Sequence, residues 1–209
     1  MTRGMMTRGT KYALRCRIDK AGTDPQTGQT KQGRGATVAN ISGPQIRRLE
    51  ISDAALYRDI RLEALQKNPE AFGSTFAKEN AQPLSWFEAV VGRADIFGAF
   101  LDGTLAGIAG YSAQESSKQA HKALLWTMYV RATGRNSGLG RSLVAAVLDH
   151  ARGRVEMVQL SVVSVNEAAR RLYSAMGFVE YGYEKRALKH DGRYFDEVLM
   201  VKFLDEELS

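Results

Sequence analysis

The sequence predicts an α/β fold: a mixed, mostly antiparallel central sheet with helices on both faces. Three observations predict it. Apolar runs over residues 96–101, 105–112 and 123–130 follow one another, and Asp102-Gly103 between the first two is a hairpin signal, so this part reads as an antiparallel meander. Leu139, Leu143 and Val147 then recur at helical spacing, and the alternation Val158, Leu160, Val162 follows, which gives a β-α-β unit. A second Asp-Gly pair, Asp191-Gly192, joins two closing strands. Meander followed by β-α-β implies a sheet of mixed direction covered on both sides.

The elements follow in order from residue 46. Residues 46–50 read as a short strand, and Ser52 or Asp53 can cap the next helix, with Leu56, Ile60, Leu62 and Leu65 as its apolar positions and Pro69 as its limit. A second helix is predicted over residues 84–91. After the meander, a helix from Leu139 ends near Gly153, a glycine suited to the left-handed position past a helix end. Asn166 caps a further helix through Met176, which Gly177 stops. The predicted order is β-α-α-β-β-β-α-β-α-β-β.

Charge is distributed unevenly along the 209 residues. Residues 1–44 hold eight Lys/Arg against Asp19 and Asp24, which accounts for the whole formal charge of +6; the rest has 21 basic and 21 acidic residues. The extension is rich in Gly, Thr and Gln and has few large apolar residues to offset ordering entropy, so residues 1–44 read as a disordered basic extension and residues 45–209 as one folded domain. Met-Thr-Arg-Gly occurs at Met1 and again at Met6, which reads as a duplicated start rather than a repeat architecture. The neutral domain argues against nucleic acid as partner. No apolar stretch approaches the roughly 20 residues of a membrane span, which argues against a membrane partner. A single cysteine, Cys16, excludes an internal disulfide, and three scattered histidines show no metal-ligand spacing, so no metal is expected and a reducing, cytoplasmic setting fits.

Chemistry is legible where the predicted strand ending at Val130 runs through Arg135-Asn136-Ser137-Gly138-Leu139-Gly140-Arg141 into a helix. Gly138 and Gly140 let the backbone bend closely round a bulky anion, and the free N–H groups of a helix's first turn carry the positive end of its dipole. A diphosphate fits such a turn, with Arg135 and Arg141 able to add charge-assisted hydrogen bonds. Read alone, the turn is also compatible with an ordinary connecting loop. It is not the dinucleotide fingerprint, which needs three glycines after a first strand and an acidic residue about 20 positions on.

Arg135-x-x-Gly138-x-Gly140 resembles the R/Q-x-x-G-x-G/A signature of the GNAT superfamily of N-acetyltransferases. Asn166-Glu-Ala-Ala169-Arg-Arg-Leu172-Tyr173-Ser-Ala-Met-Gly177-Phe178 is similar to that family's second cofactor segment, N-x-x-A-x-x-L-Y-x-x-x-G-F. The resemblance implies a GNAT-like sheet splayed between its fourth and fifth strands, with acetyl-CoA as co-substrate. The backbone of Met128, Tyr129 and Val130 would pair with pantetheine, a freed strand amide would stabilise the thioester oxyanion, and Arg135 to Arg141 would hold the pyrophosphate. Asn166 and Tyr173, about two turns apart, would face the cofactor, with Tyr173 as general acid to the leaving thiolate. The implied reaction is acetyl transfer to a primary amine, a small molecule or a protein N-terminus or lysine, by direct attack in a ternary complex. A non-catalytic CoA-binding sensor is the alternative, and homodimerisation stays open.

The base that deprotonates the amine is not legible: Glu115, His121 and His190 are candidates and also ordinary loop residues. His150, in the last turn of its helix, reads as a dipole partner. A covalent acetyl-cysteine route is set aside, because Cys16 lies in the extension. Acceptor recognition is expected from residues 69–76, with Phe72 and Phe76, from Trp86 and Phe87, and from Asp196 and Glu197 on the last strands.

Overall fold

The computed structural model describes residues 44–204, so the expectation for the basic extension lies outside the described residues. Among the described residues seven strands pair in the order β1-β2-β3-β4-β5-β7-β6. They are β1 (Gln45–Arg48), β2 (Asp95–Leu101), β3 (Thr104–Ala113), β4 (Lys122–Val130), β5 (Met157–Val163), β6 (Val179–His190) and β7 (Arg193–Phe203). Every neighbouring pair is antiparallel except β4 with β5. Both Asp-Gly pairs turn hairpins, with Asp102, Gly103, Asp191 and Gly192 all at positive φ, the backbone that matches the right-handed twist of the flanking strands.

Helices cover both faces. On one, α1 (Ala54–Lys67), α2 (Phe76–Asn80) and α3 (Leu84–Arg93) pack over the first half of the sheet, with Ile60, Phe87 and Ile96 fully buried between them. On the other, α4 (Leu139–Ala151) buries Leu139, Leu143, Val144 and Val147 completely, and α5 (Glu167–Ala175) adds Tyr173 to the same core. Each such fully buried side chain contributes about 1.5–3 kcal/mol. Gly153 and Gly177 are left-handed, as their places past α4 and α5 require. At α5 the amide of Phe178 donates to the carbonyl of Tyr173 and that of Gly177 to Ser174, and the rings of Phe178 and Tyr173 meet edge to face at 5.8 Å. This is a Schellman ending with its hydrophobic contact.

Three local expectations need correction. Ile60, Leu62 and Leu65 of α1 are buried as expected, with Ala54, Tyr57, Arg61 and Ala64 beside them, whereas Leu56 stays exposed because it lies a third of a turn from Tyr57. Asp53 sits at the N-cap of α1, yet its carboxylate takes a fork of bonds from Arg47 (2.6 and 2.8 Å) and one from the Glu50 amide (2.9 Å), closing the preceding turn instead. The third is α2, a five-residue helix capped by the Thr75 hydroxyl within what reads as loop.

The Arg47 guanidinium holds the Asp53 carboxyl below the usual carboxylate range. Its contribution is therefore present above about pH 4 and lost as pH falls through the lowered folded-state value. Asp53→Asn is expected to cost about 1 kcal/mol at pH 7, Arg47 being partly exposed, and the gap to wild type should close in acid. Urea unfolding followed from pH 7 into acid measures both; a gap that does not narrow as the pH falls would show that the charge plays no part.

Candidate active site

The single parallel pair is only half made. Lys122, Ala123 and Leu124 of β4 pair with Met157, Val158 and Gln159 of β5, and the ladder stops there, leaving the two strands to diverge from Leu125 and Leu160 onward. Beside this splay, β4 carries a bulge. Trp126 faces Gly110 and Tyr129 faces Ile108, so Thr127 and Met128 together oppose Ala109, and Thr127 has φ of 51°. A β-branched residue at positive φ costs about 1–2 kcal/mol.

That extra residue changes which way every later side chain points. Before it, Ala123 and Leu125 join the core under α4 and α5 while Trp126 packs toward α1–α3; after it, Met128 and Val130 lie on the α4–α5 side and Tyr129 on the α1–α3 side. Backbone direction follows by alternation. The Arg131 amide donates to the carbonyl of Ala106 on β3, so the amide and carbonyl of Tyr129 also face β3, and those of Met128 and Val130 face the splay. Of the three positions expected to meet a pantetheine chain, Met128 and Val130 thus offer backbone groups to the gap, and Tyr129 does not.

At the mouth of the splay the chain makes a short turn over Ala132–Gly134 and then reverses through Asn136 (φ 60°) and Gly138 (φ 84°) into α4. Ser137 Oγ donates to the carbonyl of Gly134 (2.7 Å) and Arg135 Nε to that of Val130 (3.3 Å), which fixes the turn to the strand end. The first intrahelical bond runs from the Ser142 amide to the carbonyl of Gly138, so the amides of Leu139, Gly140 and Arg141 precede it. Gly138 stands at the N-cap, where a Ser or Asp would ordinarily accept one of them, and gives no side chain to do so. Leu139 contributes only that amide, its side chain being fully buried. Arg135 and Arg141 are exposed on either side.

A Cβ on Gly138 would meet no protein atom within 4 Å, so the space before the helix end is open; one on Gly140 would lie 3.1 Å from Leu172 Cδ2 and 3.6 Å from Met128 Cε. The glycines therefore do different work. Gly138 supplies the left-handed turn, and Gly140 lets α4 approach α5 and the splayed strand. An open cradle of three amides flanked by two guanidinium groups fits the diphosphate of CoA.

Asn166 and Tyr173 differ in setting despite their common spacing. Asn166 is exposed and its side chain caps α5, accepting from the Ala169 amide at 3.2 Å. Tyr173 is buried, and burial pushes its phenol well above the usual range. Its hydroxyl has no hydrogen-bond partner among the described residues. Its neighbour Leu172 is the side chain of α5 that packs nearest Gly140 in the first turn of α4.

The candidate bases are scattered. Glu115 is exposed in the loop before β4. His121 precedes the closed end of the splay, six residues or roughly 20 Å of strand before the bulge. His190 lies beside Asp191 (3.3 Å) at the far hairpin. His150 turns to β2, with Nε2 3.1 Å from Asp95 Oδ2 and its ring edge-on to Phe97 and Tyr111, because α4 packs across β2 and β3. Asp196 accepts from the Tyr183 hydroxyl and the Arg186 amide, and that amide holds its carboxyl below the usual range.

Phe87 is core, with Trp86 edge-on to it at 4.9 Å. Phe72 and Phe76 are half-buried, and the Pro69–Ala71 turn beside them reaches β5 and β6. Sequence reading missed two polar groups under β4. Glu63 accepts from the Tyr129 hydroxyl (2.9 Å) and from Arg131 Nε (2.7 Å). Arg61 forks onto Glu79 and donates to Thr127. The available signal was a charged residue on the apolar stripe of α1.

Fold and site define a class, an α/β protein whose sheet opens beside a helix N-terminus without a side-chain cap. The chain belongs to the acetyltransferase (GNAT) family, whose pattern it matches over residues 57–178. It is 26% identical over 125 residues to the L-amino acid N-acyltransferase MnaT of Escherichia coli, covering 59% of this chain and 73% of that one. It is 36% identical over 95 residues to the N-alpha-acetyltransferase RimI of Mycobacterium tuberculosis, covering 46% of this chain and 58% of that protein, less than two thirds of its length. A Salmonella typhimurium protein whose structure holds its cofactor acetyl-CoA shares the fold, with a TM-score of 0.66 and 22% identity over 78% of this chain and 95% of that one. Members of the family use acetyl-CoA, and the chain stands among acyl-CoA-dependent acetyltransferases. No helix among the described residues is long and apolar enough to cross a membrane, and no cluster of three His, Cys, Asp or Glu side chains suited to a metal occurs among them.

Proposed function

We propose that this chain transfers an acetyl group from acetyl-CoA to the α-amino group of a free amino acid or of a protein N-terminus, by direct attack in a ternary complex in the cytoplasm. One observation carries the reading: the uncapped N-terminus of α4 opens at the mouth of the splay between β4 and β5, where a long thin molecule can lie with its anionic end on the helix. The choice of an α-amine rests on the two relatives, one named for acyl transfer to L-amino acids and one for N-alpha-acetylation.

Acetyl-CoA, when bound, supplies an activated carbonyl and a thiol leaving group. The amides of Leu139, Gly140 and Arg141 hold the diphosphate, with Arg135 and Arg141 beside it. Met128 and Val130 pair through their backbone with the pantetheine arm, and the Met128 amide, freed from β3 by the bulge, is directed at the charge that develops on the carbonyl oxygen. Tyr173 donates its proton to the sulfur as the C–S bond breaks. Water relays the amine's proton outward, the scattered placement of Glu115, His121 and His190 leaving none of them beside the bulge.

Thiol release from acetyl-CoA, followed against free L-amino acids, peptides with free N-termini, and N-terminally blocked peptides carrying lysine, tests the reading. Turnover is expected with the first two groups. Turnover on blocked lysine peptides alone would overturn the α-amine assignment, and CoA binding without turnover on any amine would favour a sensor.

A further inference from the structure

Arg61 is a charged residue in a position the helix gives to apolar ones. It lies on the inner stripe of α1 with Tyr57 and Ala64, is buried, and stacks its guanidinium 5.0 Å from the Phe72 ring centre. Nε and Nη2 donate to the two carboxylate oxygens of Glu79 at 2.9 and 2.8 Å, and Nη1 donates to Thr127 Oγ1 at 3.0 Å. All three residues are buried, and the bond to Thr127 spans 66 positions of sequence. Buried ion pairs seldom exceed, in stability, apolar residues of equal volume, so stability alone does not account for this one. Its geometry does: Thr127 is the left-handed bulge residue of β4, and the bulge decides that the Met128 amide faces the splay.

We propose that the Arg61–Glu79 pair is a positioning clasp that fixes the β4 bulge through Thr127 and so aims the Met128 amide into the splay. The inference rests on the proposed acetyl transfer for its catalytic meaning. The guanidinium is planar, so once Nε and Nη2 engage both carboxylate oxygens its plane is fixed, and of the three N–H groups that remain one on Nη1 meets Thr127 Oγ1. The partners flank the connection from α1 to α2, whose Pro69–Ala71 turn reaches β5 and β6, so one clasp ties the acceptor-side loop and the bulge to the same point.

Two variants test this. Arg61→Met with Glu79→Leu replaces the pair by apolar volume, and Thr127→Val exchanges the hydroxyl that accepts from Arg61 for a methyl group. Both are expected to keep CoA affinity within about two-fold and the double variant to keep its Tm, while kcat falls about ten-fold or more, a split that a merely structural pair would not produce. Independently of any acceptor, the Met128 amide should shift its NMR resonance and exchange faster with solvent in both. An unchanged Met128 amide, or wild-type kcat in the folded double variant, would overturn the clasp. Absence of turnover in the wild type would instead count against the acetyl-transfer reading and leave the amide measurement decisive for the clasp.

Discussion

Gly138→Val is expected to abolish measurable acetyl-CoA binding in a protein that still folds. The position is left-handed, so a valine there costs about 1–2 kcal/mol of backbone strain, a loss that a domain stable by 5–15 kcal/mol survives. A Cβ there meets no protein atom within 4 Å, and the valine is expected to project into the open space before the amides of Leu139 to Arg141. Charge-assisted bonds to such amides are worth about 1.5–3 kcal/mol each, so losing two corresponds to a fall in affinity on the order of 100-fold or more. Gly140→Val should lose binding too, but with a lower Tm, because its side chain must displace Leu172 and crowd Met128. Calorimetric titration with CoA, beside thermal melts, separates the two. Wild-type affinity in folded Gly138→Val would remove this turn from the cofactor site.

What the sequence made legible was whatever a few adjacent residues decide. Asp102-Gly103 and Asp191-Gly192 dictate hairpin turns by their own backbone preference, and Gly153 and Gly177 end helices for the same reason. The glycine turn and the Asn166 to Phe178 segment were readable because their spacing is local. The features missed depend on partners far away. His150 stands in the last turn of α4 as expected, but its partner Asp95 lies 55 positions away on β2. The bulge at Thr127 has no marker in β4, where Thr is an ordinary strand residue; its support lies on α1 and α2. α2 is too short for periodicity to reveal. The resemblance named Met128, Tyr129 and Val130 alike, and it could not say which of their backbone groups face the gap, since one unseen extra residue reverses the phase of the strand after it.

Tyr173→Phe is expected to lower kcat by roughly 100-fold or more, about 2.7 kcal/mol of barrier, with acetyl-CoA affinity and stability little changed. The ring stays against Phe178, so packing is kept. Only a hydroxyl without a partner among the described residues is removed, so no hydrogen bond within the protein is lost. Burial pushes the phenol up, which on its own makes it a weaker acid. The same apolar surroundings disfavour the departing thiolate as well, since desolvation raises the affinity of both anions for the proton, so the two values rise together and transfer toward sulfur remains feasible. The phenol also stays protonated up to and beyond about pH 10, so kcat should show no alkaline limb from Tyr173 across the neutral range. A structural tyrosine would give the opposite pattern, a lower Tm with kcat nearly intact. Full kcat in Tyr173→Phe on a good acceptor, with chemistry rate-limiting, would pass the proton donation to water or to the acceptor amine itself.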